Sequence, residues 1–184
     1  MCRKWPFKFW ALVAAIVVAS CLLVAFIHRS TSPVYRGKTL RSWLVLLQSA
    51  NPVEHEDAEA AVRAIGTNAV TTLTAWLSHR DSAAEKWLKG CLAGIGLFTP
   101  YRFSENYYRS KALCGFRVLG INGQSAVPDL RRFLADPALA SDAAYALVWA
   151  APSEAEKLAE EWTSDTNRSV KIRGLKLKAE IADR

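Results

Sequence analysis

Cysteine and histidine are scarce in this chain of 184 residues, which has four cysteines and three histidines. So few cysteines exclude a miniature fold held together by disulfides. No run of alternating β-branched residues is long enough to predict a pair of strands. Gly90, Gly94 and Gly96 lie close together, but they lack the Gly-x-Gly-x-x-Gly spacing that follows a strand in a phosphate-binding loop. We therefore expect neither a sheet nor a nucleotide-binding loop.

Acidic residues are absent from residues 1–29, which carry +4 of the net charge of +7. The rest of the chain carries only +3, so its charge gives no argument for nucleic-acid binding. Hydrophobic residues make up 51% of the sequence, which is enough to bury a core and excludes general disorder. The length allows one domain and an appendage.

An uncharged apolar segment of nineteen residues, 9–27, follows the basic leader 1–8. As a helix it would be about 28 Å long, close to the thickness of a bilayer's hydrocarbon core. Lys8 precedes the segment and Arg29 follows it, and Trp10 lies where interfacial aromatic residues are common. We interpret residues 9–27 as an uncleaved, single-pass transmembrane helix that acts as a signal anchor.

Two alternatives remain for this segment. A cleaved signal peptide would have a shorter apolar run and an Ala-x-Ala site after it. A lipoprotein signal would use 18–21, Val-Ala-Ser-Cys, which resembles a lipobox and makes Cys21 a lipidation candidate, although residues 22–27 stay apolar. Basic residues are nearly balanced across the segment, so orientation is weakly determined. We expect the leader inside and the C-terminal domain exported to the periplasmic or extracellular side.

Residues 28–38 lack an apolar period and are predicted to be a linker. From residue 39 to 184 the period is helical, as in Leu40, Trp43, Leu44 and Leu47. A longer loop is predicted at 93–103. Helix caps are predicted at Thr39, Asn51, Asn68, Asp81, Ser82, Asp136 and Asp165.

Helix starts at Asn51, Asp81, Asp136 and Asp165 are 30, 55 and 29 residues apart, which indicates a repeat of about 30 residues with one unit enlarged near residue 100. Residues 60–77 and 114–134 share the order Arg, apolar residue, Gly, a few turn residues, Ala-Val and an amphipathic helix. Residues 143–162 are a degenerate third copy with Ala150 in place of the glycine, and 165–177 fit a fourth first helix. Paired helices joined by a glycine turn need neighbours to bury their apolar faces.

The glycines at 66 and 120, each followed by Ala-Val and a Leu-rich helix, resemble HEAT repeats of the short, lyase-like type. The segment 35–44, Tyr-Arg-Gly-Lys-Thr-Leu-Arg-Ser-Trp-Leu, resembles the lead-in of some membrane-anchored bacterial HEAT-like proteins. The resemblance covers residues 35–184 and departs from the family at the enlargement near residue 100. It implies an all-α fold, an α-α superhelix whose second helices line a concave face for binding macromolecules. The candidate partner-binding residues are Thr71, Thr72, Asp129, Arg131, Arg132 and Glu156.

Candidate catalytic and metal-binding groups each have a simpler structural interpretation. His55 and Glu59 lie one turn apart and could share a metal, but a solvated acidic helix start explains them too. His79 and Asp81 fit a helix end and a cap. Cys91 and Cys114 could pair in an exported domain, although two buried, inert thiols are the preferred interpretation. The five body tryptophans fall on apolar stripes and are predicted to be core: Trp43, Trp76, Trp87, Trp149 and Trp162.

The sequence therefore predicts a non-catalytic, membrane-anchored HEAT-like scaffold that binds a protein partner, with no cofactor, metal or small-molecule substrate. One alternative is a nucleic-acid-binding protein resembling HEAT-like DNA glycosylases, which membrane anchoring disfavours. A second is a lyase-like accessory factor for chromophore or cofactor attachment.

Overall fold

The computed structural model describes residues 32–94 and 104–184. The described chain begins with an antiparallel hairpin in which β1, Val34–Tyr35, pairs with β2, Lys38–Thr39. Arg36 and Gly37, with φ of 49° and 74°, adopt the left-handed conformations that a tight two-residue turn requires. The prediction that the chain has no strand pair is wrong here, because strands of two residues are too short to show alternation.

Nine α-helices follow in the described part of the chain. They are α1 Leu40–Leu46, α2 Pro52–Ile65, α3 Val70–Leu77, α4 Ala83–Gly94, α5 Glu105–Leu119, α6 Val127–Leu134, α7 Ala140–Ala150, α8 Pro152–Ser164 and α9 Arg168–Ala182. Two 3₁₀ helices, Gly66–Ala69 and Gly120–Ala126, lead into α3 and α6. The predicted all-α class is confirmed, apart from the short hairpin.

Side-chain caps begin several helices as the sequence predicts. Thr39 accepts a hydrogen bond from the backbone N–H of Ser42, and Asn51 caps α2 with Pro52 in its first turn. The N–H of Glu85 donates to Oγ of Ser82, while the N–H of Ser82 donates to the Glu85 carboxylate. This reciprocal pair is a capping box, and it satisfies two backbone donors at the start of α4.

Four other predicted caps are wrong. Asn68 lies inside the first 3₁₀ helix, which runs directly into α3. Asp136 accepts from the N–H of Ala138 in a turn, and α7 begins only at Ala140. Asp165 likewise accepts from the N–H of Asn167, and Asn167 is the residue that caps α9. The fourth is Asp81, because Ser82 caps α4.

The first two predicted repeat units share one backbone geometry at their turns. Gly66 has φ 58° and ψ −137°, and Gly120 has φ 54° and ψ −134°. Each glycine ends a long helix and is followed by a 3₁₀ helix and a helix of eight residues. The third turn differs, because Ala151 has φ −151° and ψ 76° and α8 follows at once.

The helices pack side by side around one apolar core in a unit that runs from Val34 to Arg184. The helix α5 packs against α3 and α7, and α7 also contacts α6, α8 and α9. The inward stripe of α2 consists of four buried residues: Ala58, Ala61, Val62 and Ile65. On α8, Ala155 and Ala159 are buried, while Leu158 and the predicted core residue Trp162 are only half-buried.

Tryptophan burial follows the sequence prediction only in part. Trp43 is buried, and its Nε1 donates to the carbonyl of Tyr35 at 3.0 Å. Trp76, Trp149 and Trp162 are half-buried against the core. Trp87 is 71% exposed beside the half-exposed Leu88, so its assignment to the core is wrong. On the same helix α4, Lys86 and Lys89 form ion pairs with Glu105 and Asp81.

The predicted leader 1–8, the transmembrane helix 9–27 and Cys21 lie outside the described residues, as does most of the predicted loop 93–103. Within residues 32–94 and 104–184, no helix is both long and apolar enough to cross a membrane.

Candidate functional site

The structure places Asp129, Arg131 and Arg132 together on α6. Two nitrogens of the Arg131 guanidinium, Nε and Nη2, each lie 2.9 Å from a carboxylate oxygen of Glu154 on α8. Nη2 of Arg132 lies 3.0 Å from Oδ1 of Asp129, one turn back on the same helix. The two arginines predicted to bind a partner thus already have acidic partners, which lowers the positive charge available to an incoming ligand.

The other predicted partner-binding residues do not join this cluster. Thr71 and Glu156 are exposed, on α3 and α8, and Thr72 is half-buried. In the part of the chain that the structure describes, no side-chain hydrogen bond or ion pair links these three residues to Arg131 or Arg132.

The candidate metal ligands His55 and Glu59 lie next to each other, as the sequence predicts. Nε2 of His55 lies 3.3 Å from the carboxylate of Glu59, and its Nδ1 lies 2.8 Å from the carbonyl of Leu47. Among the residues described, no group of three or more His, Cys, Asp or Glu side chains is placed to hold a metal ion.

The two thiols of the body occupy different surroundings. Cys91 on α4 is exposed and Cys114 on α5 is half-buried, and both are free. The preferred interpretation of two buried thiols is therefore wrong for Cys91. Gln48 donates from Nε2 to Sγ of Cys114 at 3.7 Å and to Oγ of Ser110 at 3.4 Å. Its Oε1 accepts from Nζ of the buried Lys111 at 2.6 Å, and burial lowers the pKa of that lysine.

A chain of ion pairs joins the ends of α3, α4 and α5. Asp81 contacts His79 at 3.2 Å and also pairs with Lys89. Burial of the Asp81 carboxyl would raise its pKa, but hydrogen bonds from Lys89 and His79 outweigh burial and lower the pKa below 3.8. The backbone N–H of Asp81 in turn donates to Glu105 at 3.0 Å, which lowers the pKa of Glu105. These contacts explain why Asp81 is not the helix cap.

A groove of about 380 Å³ lies between α5 and α7. Its polar lining is concentrated on one face of α5, and Asp142 and Tyr145 of α7 form the opposite wall. The full lining consists of Asn106, Arg109, Ser110, Leu113, Cys114, Arg117, Asp142 and Tyr145. Burial raises the pKa of the Asp142 carboxyl, and the neighbouring Arg109 guanidinium opposes this shift.

Arg109 lies in this groove, and the N–H donors of its guanidinium make only long contacts. Its side chain is only 15% exposed. Nη1 lies 3.3 Å from the carbonyl of Ala138 and 3.9 Å from Asp142, while Nη2 lies 3.5 Å from Glu105. Nε is buried with no hydrogen-bond partner in the described chain. Glu105 and Asp142 partly offset the charge of Arg109, but neither makes a short charge-assisted hydrogen bond with it, so its guanidinium still has donor capacity for a further anion.

Arg117 supplies a second cation to the same groove. It is exposed on the last turn of α5, and within residues 32–94 and 104–184 it has no hydrogen bond or ion pair. Arg63 occupies the equivalent position of the preceding unit, three residues before the terminal glycine, and pairs with Glu59 at 2.7 Å. The two units therefore differ at this position, because only the second presents an unpaired arginine.

A smaller groove lies on the other side of α7, between α7, α8 and α9. Tyr145 lines both grooves, and Arg173 of α9 lies with its guanidinium carbon 5.4 Å from the centroid of the Trp162 ring. The grooves follow the first helices of the predicted units, α5, α7 and α9, whereas the resemblance implied a binding face formed by second helices.

The sequence contained a signal for the larger groove. Asn106, Arg109, Ser110 and Arg117 recur at the spacing of one helix face, beside the apolar side of α5 that includes Phe116 and Leu119. A polar stripe usually indicates a solvated surface, so the pattern alone does not identify a groove. No family model, curated protein or solved structure matches this chain.

Proposed function

We propose that this protein is a non-catalytic, membrane-anchored scaffold, a short HEAT-like α-solenoid that binds a protein partner. The observation that carries the proposal is the recurrence of one unit: a long helix, a glycine with positive φ (58° and 54°), a 3₁₀ helix and a helix of eight residues. The near-identical dihedral angles at Gly66 and Gly120 support it. Stacked units of this kind bury their apolar faces against one another and present long surfaces for recognition.

The side-by-side packing of α5, α7 and α9 also supports the solenoid. These are the first helices of successive units, and neighbouring first helices pack together in an α-solenoid. The membrane part of the proposal depends on the sequence of residues 9–27, with nineteen uncharged residues between basic flanks. We propose that the body lies on the exported side.

On the second helices, the ion pairs of the arginines favour protein binding over nucleic-acid binding. The second helices offer Arg131 and Arg132, and both are paired with carboxylates. A nucleic-acid interface needs several cations free to replace the counterions of the phosphates. Salt-dependent duplex binding by the full chain, lost in Arg131→Gln and Arg132→Gln, would instead favour the alternative.

Proximity labelling from membranes tests the scaffold role. A labelling enzyme fused to the C-terminus of the full chain should mark a small set of proteins, and the side on which they reside reports the orientation. The matched control carries the same fusion after residue 33, so that the predicted anchor is present without the body. If both fusions label the same neighbours, the body recruits no partner and the proposal is wrong.

A further inference from the structure

We propose that the groove between α5 and α7 binds an acidic peptide segment, with one carboxylate on Arg109 and a second on Arg117. The assignment of this ligand to a protein partner rests on the scaffold role proposed above. The site stands on three observations: the groove itself, the buried Arg109 guanidinium with its weakly used donors, and Arg117 with no ion-pair partner in the described chain.

The spacing of the two arginines selects a ligand with more than one anionic group. Arg117 lies eight positions after Arg109 on α5, which places their Cα atoms about 12 Å apart along the helix axis. An extended peptide advances about 3.4 Å per residue, so acidic residues four positions apart span a similar distance on one face. A single small anion would contact one arginine and leave the other in solvent.

The lining favours carboxylates over phosphates. The planar fork of a guanidinium can donate two parallel hydrogen bonds to a carboxylate. Asp142 lies in the same groove, 3.9 Å from Nη1 of Arg109, and it repels a dianionic phosphate at that arginine more strongly than a singly charged carboxylate. Asn106, Ser110 and Tyr145 add uncharged hydrogen-bonding groups along the wall, suited to the backbone of a peptide.

Fluorescence anisotropy of the full chain in detergent micelles tests the proposal, with fluorescein-labelled hexaglutamate as the probe and hexaglutamine as its uncharged control. We expect saturable binding of hexaglutamate alone. Arg117→Gln should weaken it about tenfold, because one charge-assisted hydrogen-bonded pair is lost. Arg63→Gln removes an equal charge from the equivalent helix end and should change binding less than about twofold.

Equal weakening by the two substitutions would overturn the proposal, because it would show unspecific attraction of a polyanion to a chain of net charge +7. Arg109→Gln should abolish binding. Since Arg109 also contacts α7, the circular dichroism spectrum of the Arg109→Gln variant is compared with that of the wild type. Arg109→Lys serves as a second variant that keeps the positive charge and loses the planar guanidinium. Retention of full affinity in both folded variants would contradict the assignment.

Competition identifies the source of the carboxylates. Unlabelled hexaglutamate should displace the probe, whereas glutarate or inorganic phosphate at the same concentration should not. Displacement by glutarate would replace the peptide with a small dicarboxylate, and displacement by phosphate would overturn the carboxylate assignment. If hexaglutamate fails to bind while proximity labelling still finds neighbours that depend on the body, the scaffold role stands and this groove is not its docking site.

Discussion

Gly174 of α9 lies so close to Thr163 of α8 that a Cβ atom on Gly174 would be 2.7 Å from the backbone nitrogen of Thr163. The obstacle is backbone, so it cannot be relieved by a side-chain rotation. We expect Gly174→Ala to lower the free energy of unfolding by about 1 to 3 kcal/mol, because the two helices must move apart. Urea denaturation followed by circular dichroism measures the change.

Gly90 on α4 provides the matched control, since a Cβ atom there would have no neighbour within 4 Å. Alanine has the higher helix propensity, so Gly90→Ala should raise the free energy of unfolding by up to about 1 kcal/mol. Opposite signs for the two substitutions would support the close packing of α8 and α9. A stabilising effect at both positions would show that the helices are farther apart.

Gly66 and Gly120 should respond alike to substitution. Both combine a positive φ with ψ near −135°, a conformation that is strained for any residue with a side chain. Space is available at both, because a Cβ atom would meet nothing within 4 Å. We therefore expect Gly66→Ala and Gly120→Ala each to lower the free energy of unfolding by about 1 to 3 kcal/mol through backbone strain alone.

The comparison of these two variants tests the repeat. Equal losses, within about 0.5 kcal/mol, would indicate that the two turns have the same role in their units. A negligible loss at one glycine would show that its turn can adopt another conformation, and the two units would then not be equivalent.

Helix boundaries could be predicted from this sequence where the signal is local. Thr39, Asn51 and the Ser82 capping box act within three residues of the helix they begin, so each is readable without the fold. Asp136 and Asp165 carry the same local signal, but each accepts a hydrogen bond within a turn, from the backbone N–H two residues later in the chain. An Asx residue predicts a turn or a cap, and packing decides between them.

The groove could not be predicted because it depends on two helices at once. The face of α5 that contains Arg109 and Arg117 reads as a solvated stripe, and only the position of α7 turns it into a lined site. Arg131 and Arg132 remain predicted partner-binding residues, and the structure adds that each is paired with a carboxylate. The acidic partner of Arg131, Glu154 on α8, lies 23 residues away in the sequence, and helical spacing does not report such a pair, whereas Asp129 lies one turn from Arg132 on the same helix.

Leu73 tests the packing of α3 against α5. Its side chain is fully buried, and its Cδ2 atom would lie 2.6 Å from a Cβ atom on Gly115. Leu73→Asp places an unpaired carboxylate in this apolar contact and should cost more than about 4 kcal/mol, which unfolds the body. Thr71→Asp introduces the same charge at an exposed position near the start of the same helix and should be nearly neutral or slightly stabilising. Matching melting curves for the two variants would show that the phase of α3 is wrong.

Asp81 makes the stability of the body depend on acid pH. Its pKa is lowered in the folded chain because the hydrogen bonds from Lys89 and His79 outweigh burial. A lowered folded pKa means that the unfolded chain binds the proton more readily, so the stabilisation is complete well above pH 3.8 and is lost as the pH falls through the folded pKa.

Asp81→Asn removes this contribution and should lower the free energy of unfolding at pH 6 by about 1 kcal/mol. Its difference from the wild type should then shrink below pH 3.8, where Glu85 and Glu105, whose pKa values are also lowered, still destabilise both chains on protonation. Urea denaturation at pH 6 and pH 3 measures both differences, and a gap between the two chains that is independent of pH would show that the Asp81 carboxylate has no specific partner.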